Sequence, residues 1–287
     1  MRFITVKSRA KINLSLDVIG KRTDGYHEVQ MIMQQVNLFD EIKVIENKDN
    51  NRITVTSNCD FIPKNNTNIA YKAAEIIKER FNIPYGINIH IQKNIPVAAG
   101  LAGGSSNAAG VLTALNKMWD LDLSTEELMD IGVKIGADVP FCILGSAALA
   151  EGIGERLTPI NGLKNTWIVL AKPSISVSTA EVYRSLEMDK IIKRPETGKL
   201  IQAIEDQDLY TVSSEMINVL ETVTERKHSV IRQLKGKMME YNALGSMMSG
   251  SGPTVFGIFR NYKKAKAAYD NLLIINKQTY LTQTYNE

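Results

Sequence analysis

The densest chemistry-bearing stretch of the chain is PVAAGLAGGSS: Pro96, Val97, Ala98, Ala99, Gly100, Leu101, Ala102, Gly103, Gly104, Ser105 and Ser106. Glycines let backbone N–H groups turn toward one point with no Cβ in the way. The residues that follow read as a helix, with Ala108, Val111, Leu112 and Leu115 on one face. Its free N–H groups and dipole would favour an anion held in the loop. The serines add hydroxyls suited to phosphate or a bound Mg²⁺. No GK[ST] follows, so this is not a Walker A loop, and the spacing is not GxGxxG. A phosphate cradle is one reading; a tight strand–helix connection packed with small residues is the other. A second cluster, SGSGP at Ser249–Pro253, is a hairpin turn by default, or a second loop closing on the same nucleotide.

Lys11 and Asn13 lie on the polar side of an alternating segment, about 7 Å apart along a strand. Both could therefore meet one ligand. Asp138, in GADVPF, is by default a cap or turn residue before Pro140. His27, His90 and His228 form no HExxH, and Cys59 and Cys142 form no CxxC. That argues against zinc and for a reducing cytoplasm.

The elements that must position these residues follow from periodicity. From Arg2 to Val18, Ala10, Ile12, Leu14, Leu16 and Val18 alternate with Lys11, Asn13, Ser15 and Asp17, which predicts a half-buried strand with a polar working face. GKRTDGYH is a turn. Glu41–Ile45, Arg52–Thr56 and Ile87–Ile91 read as strands, and Asn68–Phe81 as a helix. Ser124 opens a helix with a capping-box pattern, and GADVPFC is expected to end it. From Trp167 the order is strand, helices to about Met239, two strands around the Gly-Ser turn, helix, strand. That is the split βαβ order of a ferredoxin-like unit. The loop-rich stretch 152–165 suggests a boundary, giving domains 1–155 and 156–287.

The 287 residues allow one large domain or two, enough to bury a core without staples. With 34 Lys plus Arg against 31 Asp plus Glu, the net charge of +3 offers no basic stripe for nucleic acid. No run approaches the ~18 apolar residues of a membrane span, and the N-terminus lacks a signal-peptide h-region. A cytoplasmic enzyme acting on small molecules is expected, with no nucleic-acid or membrane partner. No heptad or apolar edge marks an interface, so a monomer or weak homodimer is expected.

Three segments in series, AKINLSLDV, PVAAGLAGGSSNAA and MSGSGPTVF, resemble the motifs of the GHMP kinase superfamily from about Ser8 to Phe259. AKINLSLDVIGKRTDGYHEVQMIMQ, GLAGGSSNAA and IGADVPFC resemble most the branch that phosphorylates a cytidine-diphosphate-linked polyol. The resemblance implies an α+β, two-domain GHMP kinase fold, with an N-terminal ribosomal-protein-S5-domain-2-like domain and a C-terminal ferredoxin-like domain. It implies γ-phosphoryl transfer from ATP, with Mg²⁺, to a hydroxyl of that polyol.

By the same resemblance Asp138 would accept the proton of the attacking hydroxyl, and Lys11 would neutralise developing charge beside it. Asn13 would contact a hydroxyl or phosphate. Tyr26 and His27 would hold cytosine by stacking and an edge hydrogen bond. Thr179 and Tyr183 would close over the cytidine; the family often has Phe at the latter position, and a Tyr stacks equally well. Lys93, Asn65 and Asn68 match positions near the adenine and ribose, although each alone is a surface polar residue. Asn107 replaces a frequent aspartate, which leaves the Mg²⁺ ligands unassigned. His90 is expected to be structural and Cys142 to pack as a small hydrophobe. A homoserine or mevalonate-pathway kinase would use both Gly-rich loops but leave Tyr26 and His27 idle. A non-catalytic nucleotide- or RNA-binding module would leave Lys11 and Asp138 idle.

Overall fold

The structure is a computed structural model that describes residues 2–286. The chain gathers into two compact units that are not contiguous in sequence. One comprises the chain up to Ala10, Phe39–Val97 and Ala102–Gly145; the other comprises Lys11–Leu38, Ala98–Leu101 and the chain from Ser146 onward. The single cut expected between 155 and 156 does not describe this grouping. The reason is two long paired strands, β1 (Phe3–Lys21) and β2 (His27–Asn47), of 19 and 21 residues, each of which passes from the first unit into the second. No helix among the described residues is long and apolar enough to cross a membrane.

In the first unit β3 (Ile53–Ser57) is followed by α1 (Ile69–Arg80), β4 (Gly86–Gln92) and α2 (Gly103–Met118). Two shorter helices follow, α3 (Thr125–Val133) and α4 (Val139–Leu144). β4 pairs antiparallel with Glu41–Asn47 of β2 and parallel with β3. The expected apolar faces form one core: Ala73 and Ile77 of α1 and Ala108, Val111, Leu112 and Leu115 of α2 are fully buried with Ile42, Val44, Ile87 and Ile89. Each fully buried Leu, Ile or Val contributes about 1.5–3 kcal/mol. Cys142 packs on this core, and neither cysteine forms a disulfide.

Ser124 makes both bonds of the capping box with Glu127. GADVPFC does not simply end α3. Gly136–Asp138 turns the chain, and Pro140 enters the first turn of α4, where its missing N–H has no helical acceptor to lose.

β1 also departs from expectation. Its apolar face is buried, but so are Lys11, Asn13, Ser15 and Asp17. The polar face is covered by polar partners rather than water: Ser15 Oγ accepts from Ile32 N, and Asp17 Oδ1 accepts from Val18 N and Arg194 Nη1.

In the second unit, Val29–Gln34 of β2 pairs antiparallel with β5 (Ala147–Gly152), which pairs with β6 (Arg156–Pro159). The stretch expected to be loop-rich thus contains a four-residue strand. Next come β7 (Trp167–Ala171) and five helices: α5 (Thr179–Arg184), α6 (Thr197–Glu205), α7 (Leu209–Glu215), α8 (Glu221–Lys227) and α9 (Val230–Glu240). The chain closes with β8 (Gly245–Met248), β9 (Val255–Phe259), α10 (Tyr262–Ile275) and β10 (Thr279–Gln283). The sheet order is β10-β7-β9-β8, all antiparallel, as a split βαβ requires. Val169, Ala171, Val255 and Phe259 of the sheet bury against Ile231, Leu234 and Met238 of α9 and Ala265, Ala268 and Leu272 of α10.

Candidate active site

The Gly-rich loop has a specific backbone shape. Ala98, Gly100 and Ala102 have φ of 50°, 74° and 54°, so left-handed residues alternate with ordinary ones. Such alternation turns successive N–H groups to one side, a concavity for anions. Two of the three are alanines, for which this region costs about 1–2 kcal/mol each. Ala102 is the N-cap of α2 and makes no side-chain capping bond. The helix therefore begins with N–H groups that no cap satisfies, where a phosphate oxygen would be favoured.

In the first unit, the connection entering this loop is tied down by a residue that periodicity did not single out. The fully buried carboxylate of Asp40 pairs with Lys93 Nζ and accepts from Asn94 N (2.7 Å), Ile95 N (2.8 Å) and Asn107 Nδ2 (2.7 Å). Four donors around one buried carboxylate satisfy it fully. Asp40 thereby joins β2 to the entry of the loop and to the second turn of α2. Lys93, expected near the ATP base and ribose, has its ammonium in this buried pair.

Asp138 stands at the N-cap of α4, and its side chain makes no capping bond to that helix. The turn carrying it lies against the start of α2, because a Cβ added at Gly136 would come within 3.9 Å of Ser105 Oγ. Asn65 and Asn68 do local work. Asn65 Oδ1 accepts from Thr67 N and Oγ1, while Asn68 caps α1 through Ala70 N and donates to Pro63 O. Among the described residues no three His, Cys, Asp or Glu lie together as a metal site.

In the second unit, Lys11 Nζ donates to Asn13 Oδ1 at 2.8 Å, both side chains buried as neighbours on one face of β1. Lys11 N donates to Leu101 O at 3.2 Å, which ties the strand to the Gly-rich loop. Leu101 and Ala99 are buried, whereas Val97 is exposed. The SGSGP loop meets the same place. Ser249 Oγ donates to Gly100 O at 3.0 Å, and a Cβ added at Gly100 would stand 2.4 Å from Ser249 O. A Cβ at Gly250 would lie 3.6 Å from Asn13 Oδ1. The idea that the two Gly-rich loops meet thus holds for Ala98–Leu101, the part that belongs to this unit.

The expected nucleobase residues also gather here. The His27 and Tyr183 rings lie 5.2 Å apart, with planes inclined by 36°. Burial, with Lys21 nearby, holds the His27 imidazole below its usual pKa. Thr179 Oγ1 and Ser251 Oγ share a 2.8 Å hydrogen bond. The Tyr26 ring is 59% exposed, and Tyr183 is the ring against His27.

Comparison with known proteins shows the family of the chain. Residues 68–146 match the model of the GHMP kinases N terminal domain, and residues 197–275 that of GHMP kinases C terminal. The chain is 63% identical, over 100% of its own length and 98% of the relative's, to 4-diphosphocytidyl-2-C-methyl-D-erythritol kinase of Alkaliphilus metalliredigens. It is 54% identical to the protein of that name from Clostridioides difficile, covering 99% and 96% of the two chains. A solved 4-(cytidine 5'-diphospho)-2C-methyl-D-erythritol kinase superposes with a TM-score of 0.84 at 29% identity, covering 99% of this chain and all of that one. A homoserine kinase from Cytophaga hutchinsonii shares the fold, with a TM-score of 0.78 at 18% identity and 99% and 95% coverage.

Proposed function

Because the chain belongs to the 4-diphosphocytidyl-2-C-methyl-D-erythritol kinases, within the GHMP kinases, we infer that it transfers the γ-phosphoryl group of ATP to the 2-hydroxyl of 4-diphosphocytidyl-2-C-methyl-D-erythritol. The products are ADP and the 2-phosphate, an intermediate of non-mevalonate isoprenoid synthesis. It is an ATP-dependent small-molecule kinase of the two-domain GHMP fold, and homoserine or mevalonate-pathway activity is not favoured.

The observation that carries the chemistry is the start of α2. A helix end with no side-chain cap lies against the turn that bears Asp138, a carboxylate not used for capping. Phosphates of ATP supply the missing cap, and Asp138 orients the 2-hydroxyl and accepts its proton as the bond to phosphorus forms. Lys11, oriented by Asn13, neutralises charge on the attacking oxygen. His27 and Tyr183, with Thr179 and Tyr26, hold the cytidine. Asn65, Asn68 and Lys93 are assigned to the nucleoside side of ATP by the family resemblance, Lys93 with its ammonium held by Asp40. Mg²⁺ takes hard oxygen ligands and keeps several from phosphate and water, so the hydroxyls of Ser105 and Ser106 fit it without a carboxylate cluster. When bound, it would neutralise phosphate charge.

The family models match on either side of the proposed division into 1–155 and 156–287. The protein works in the cytoplasm on small molecules alone, as a monomer or weak homodimer. ADP release coupled to the cytidine substrate tests the catalytic pair. Asp138→Asn is expected to lower kcat by about 10²–10⁴ with little change in either KM. Adding Lys11→Ala should cost much less than it does alone, because the two act as a unit. Independent, fully multiplicative effects would separate them.

A further inference from the structure

We propose that Asn218 and Glu221, at the start of α8, are positioning residues that hold the Ser249–Gly252 loop against Gly100 of the phosphate loop. The proposal rests on reading that loop as part of the ATP site.

Asn218 is buried and uses its whole amide. Nδ2 donates to Met248 O (2.8 Å) and Gly250 O (2.7 Å), and Oδ1 accepts from Leu220 N (3.0 Å). Glu221 Oε2 accepts from Met248 N at 2.6 Å, while its other oxygen pairs with Lys235 Nζ, which also reaches Glu225 Oε1 at 3.0 Å. Met248 is thus gripped at both its N–H and its C=O, one residue before the loop begins.

These bonds are not needed to close the turn. Ser249 N donates to Thr254 O and Gly252 N to Ser249 O, so the turn closes on itself. What Asn218 and Glu221 add is placement. Their own segment is fixed to β1, with Leu16 N donating to Ile217 O (2.9 Å) and Val219 N to Leu16 O (3.0 Å). The strand that carries Lys11 and Asn13 therefore sets the position of the clamp, and the clamp sets where Ser249 and Gly250 meet Gly100. A chain that needed only a hairpin would have no use for a buried amide spanning two carbonyls of it.

Asn218→Asp keeps the shape and removes both donors, leaving two buried carbonyls facing a carboxylate. The full-length variant is compared with Leu272→Ala, a core substitution in α10 outside the site, matched by loss of melting temperature. Nucleotide affinity is read with a fluorescent ATP analogue in the absence of acceptor, and KM and kcat/KM are read for both substrates. The expected result is a loss of nucleotide affinity and of kcat/KM for ATP of about tenfold or more, as for a buried hydrogen bond left unmade. KM for the cytidine acceptor should change less than about threefold, and Leu272→Ala should leave all three near wild type. Glu221→Gln keeps an acceptor for Met248 N–H and should retain most activity, whereas Glu221→Leu should behave like Asn218→Asp.

Nucleotide affinity and kcat/KM for ATP within twofold of wild type in Asn218→Asp would overturn the proposal, as would an equal loss in Leu272→Ala. Should Asn218→Asp not fold, Asn218→Ser and Glu221→Leu are judged by the same comparison. A wild-type protein that binds the ATP analogue but leaves the cytidine acceptor unphosphorylated would refute the substrate assignment alone. The nucleotide arm would then still decide on the clamp.

Discussion

At Asn107 one amide decides whether Asp40 is satisfied. Asn107 Nδ2 donates to a carboxylate that already takes Lys93 and two backbone N–H groups. Aspartate at 107 would here set two carboxylates face to face. Asn107→Asp is therefore expected to destabilise the fold by about 3–5 kcal/mol near neutral pH, the cost typical of breaking a buried charged network. Thermal melts of the variant and the wild type check this. A neutral effect would mean that Asp40 is held by Lys93 and the backbone alone.

His27 carries a second pH signature. Its folded pKa lies below the usual histidine value, chiefly through burial. As pH falls through about 6.5, the unfolded chain takes up a proton that the folded chain refuses, so this residue's contribution to stability declines. The decline stops below the folded pKa. The neutral ring persists to lower pH than in an ordinary histidine, so on the proposed cytidine role KM for that substrate should rise at lower pH than an ordinary histidine would give. In His27→Gln both dependences should disappear, by melting and by initial rates. A KM already rising above about pH 7 would contradict the low folded pKa.

At the scale of elements, the phosphate loop and the helices have opposite tolerances. Gly100 combines a φ of 74° with a Cβ position 2.4 Å from Ser249 O. Gly100→Ala is therefore expected to displace the loop and lower kcat/KM for ATP by about 10²-fold or more. Ser124→Ala removes a capping box far along the chain from the loop and should cost about 1 kcal/mol of stability with kcat unchanged. Rates and melts on the two variants separate function from fold; equal effects on kcat would refute the contrast. The Ser124 capping box was legible in the sequence because its partner lies within three residues, whereas Asn68, read as part of the helix, is the N-cap of α1. The strand through Met31, Ile32 and Met33 was not legible, because a strand buried on both faces shows no alternation. α4 was hidden by Pro140, which reads as a breaker until its place in the first turn is known.

At the scale of the whole molecule, motif order disclosed the family and its fold, while contact partners decided the rest. Lys11 and Asn13 could be placed on one face by counting residues. Asp40 and Asn218 could not, because each is defined by hydrogen bonds to residues 67 and about 30 positions away. The division between units was also hidden, since it runs part-way along β1 and β2 rather than through a linker.

The most direct test is the wild-type protein with ATP and Mg²⁺, offered 4-diphosphocytidyl-2-C-methyl-D-erythritol, homoserine and mevalonate separately, with product identified by phosphorus NMR and ADP counted. The account predicts a 2-phosphate on the cytidine substrate, with kcat/KM exceeding the others by about 10³-fold or more. Phosphorylation of homoserine or mevalonate at comparable efficiency, or none of the cytidine substrate, would contradict it.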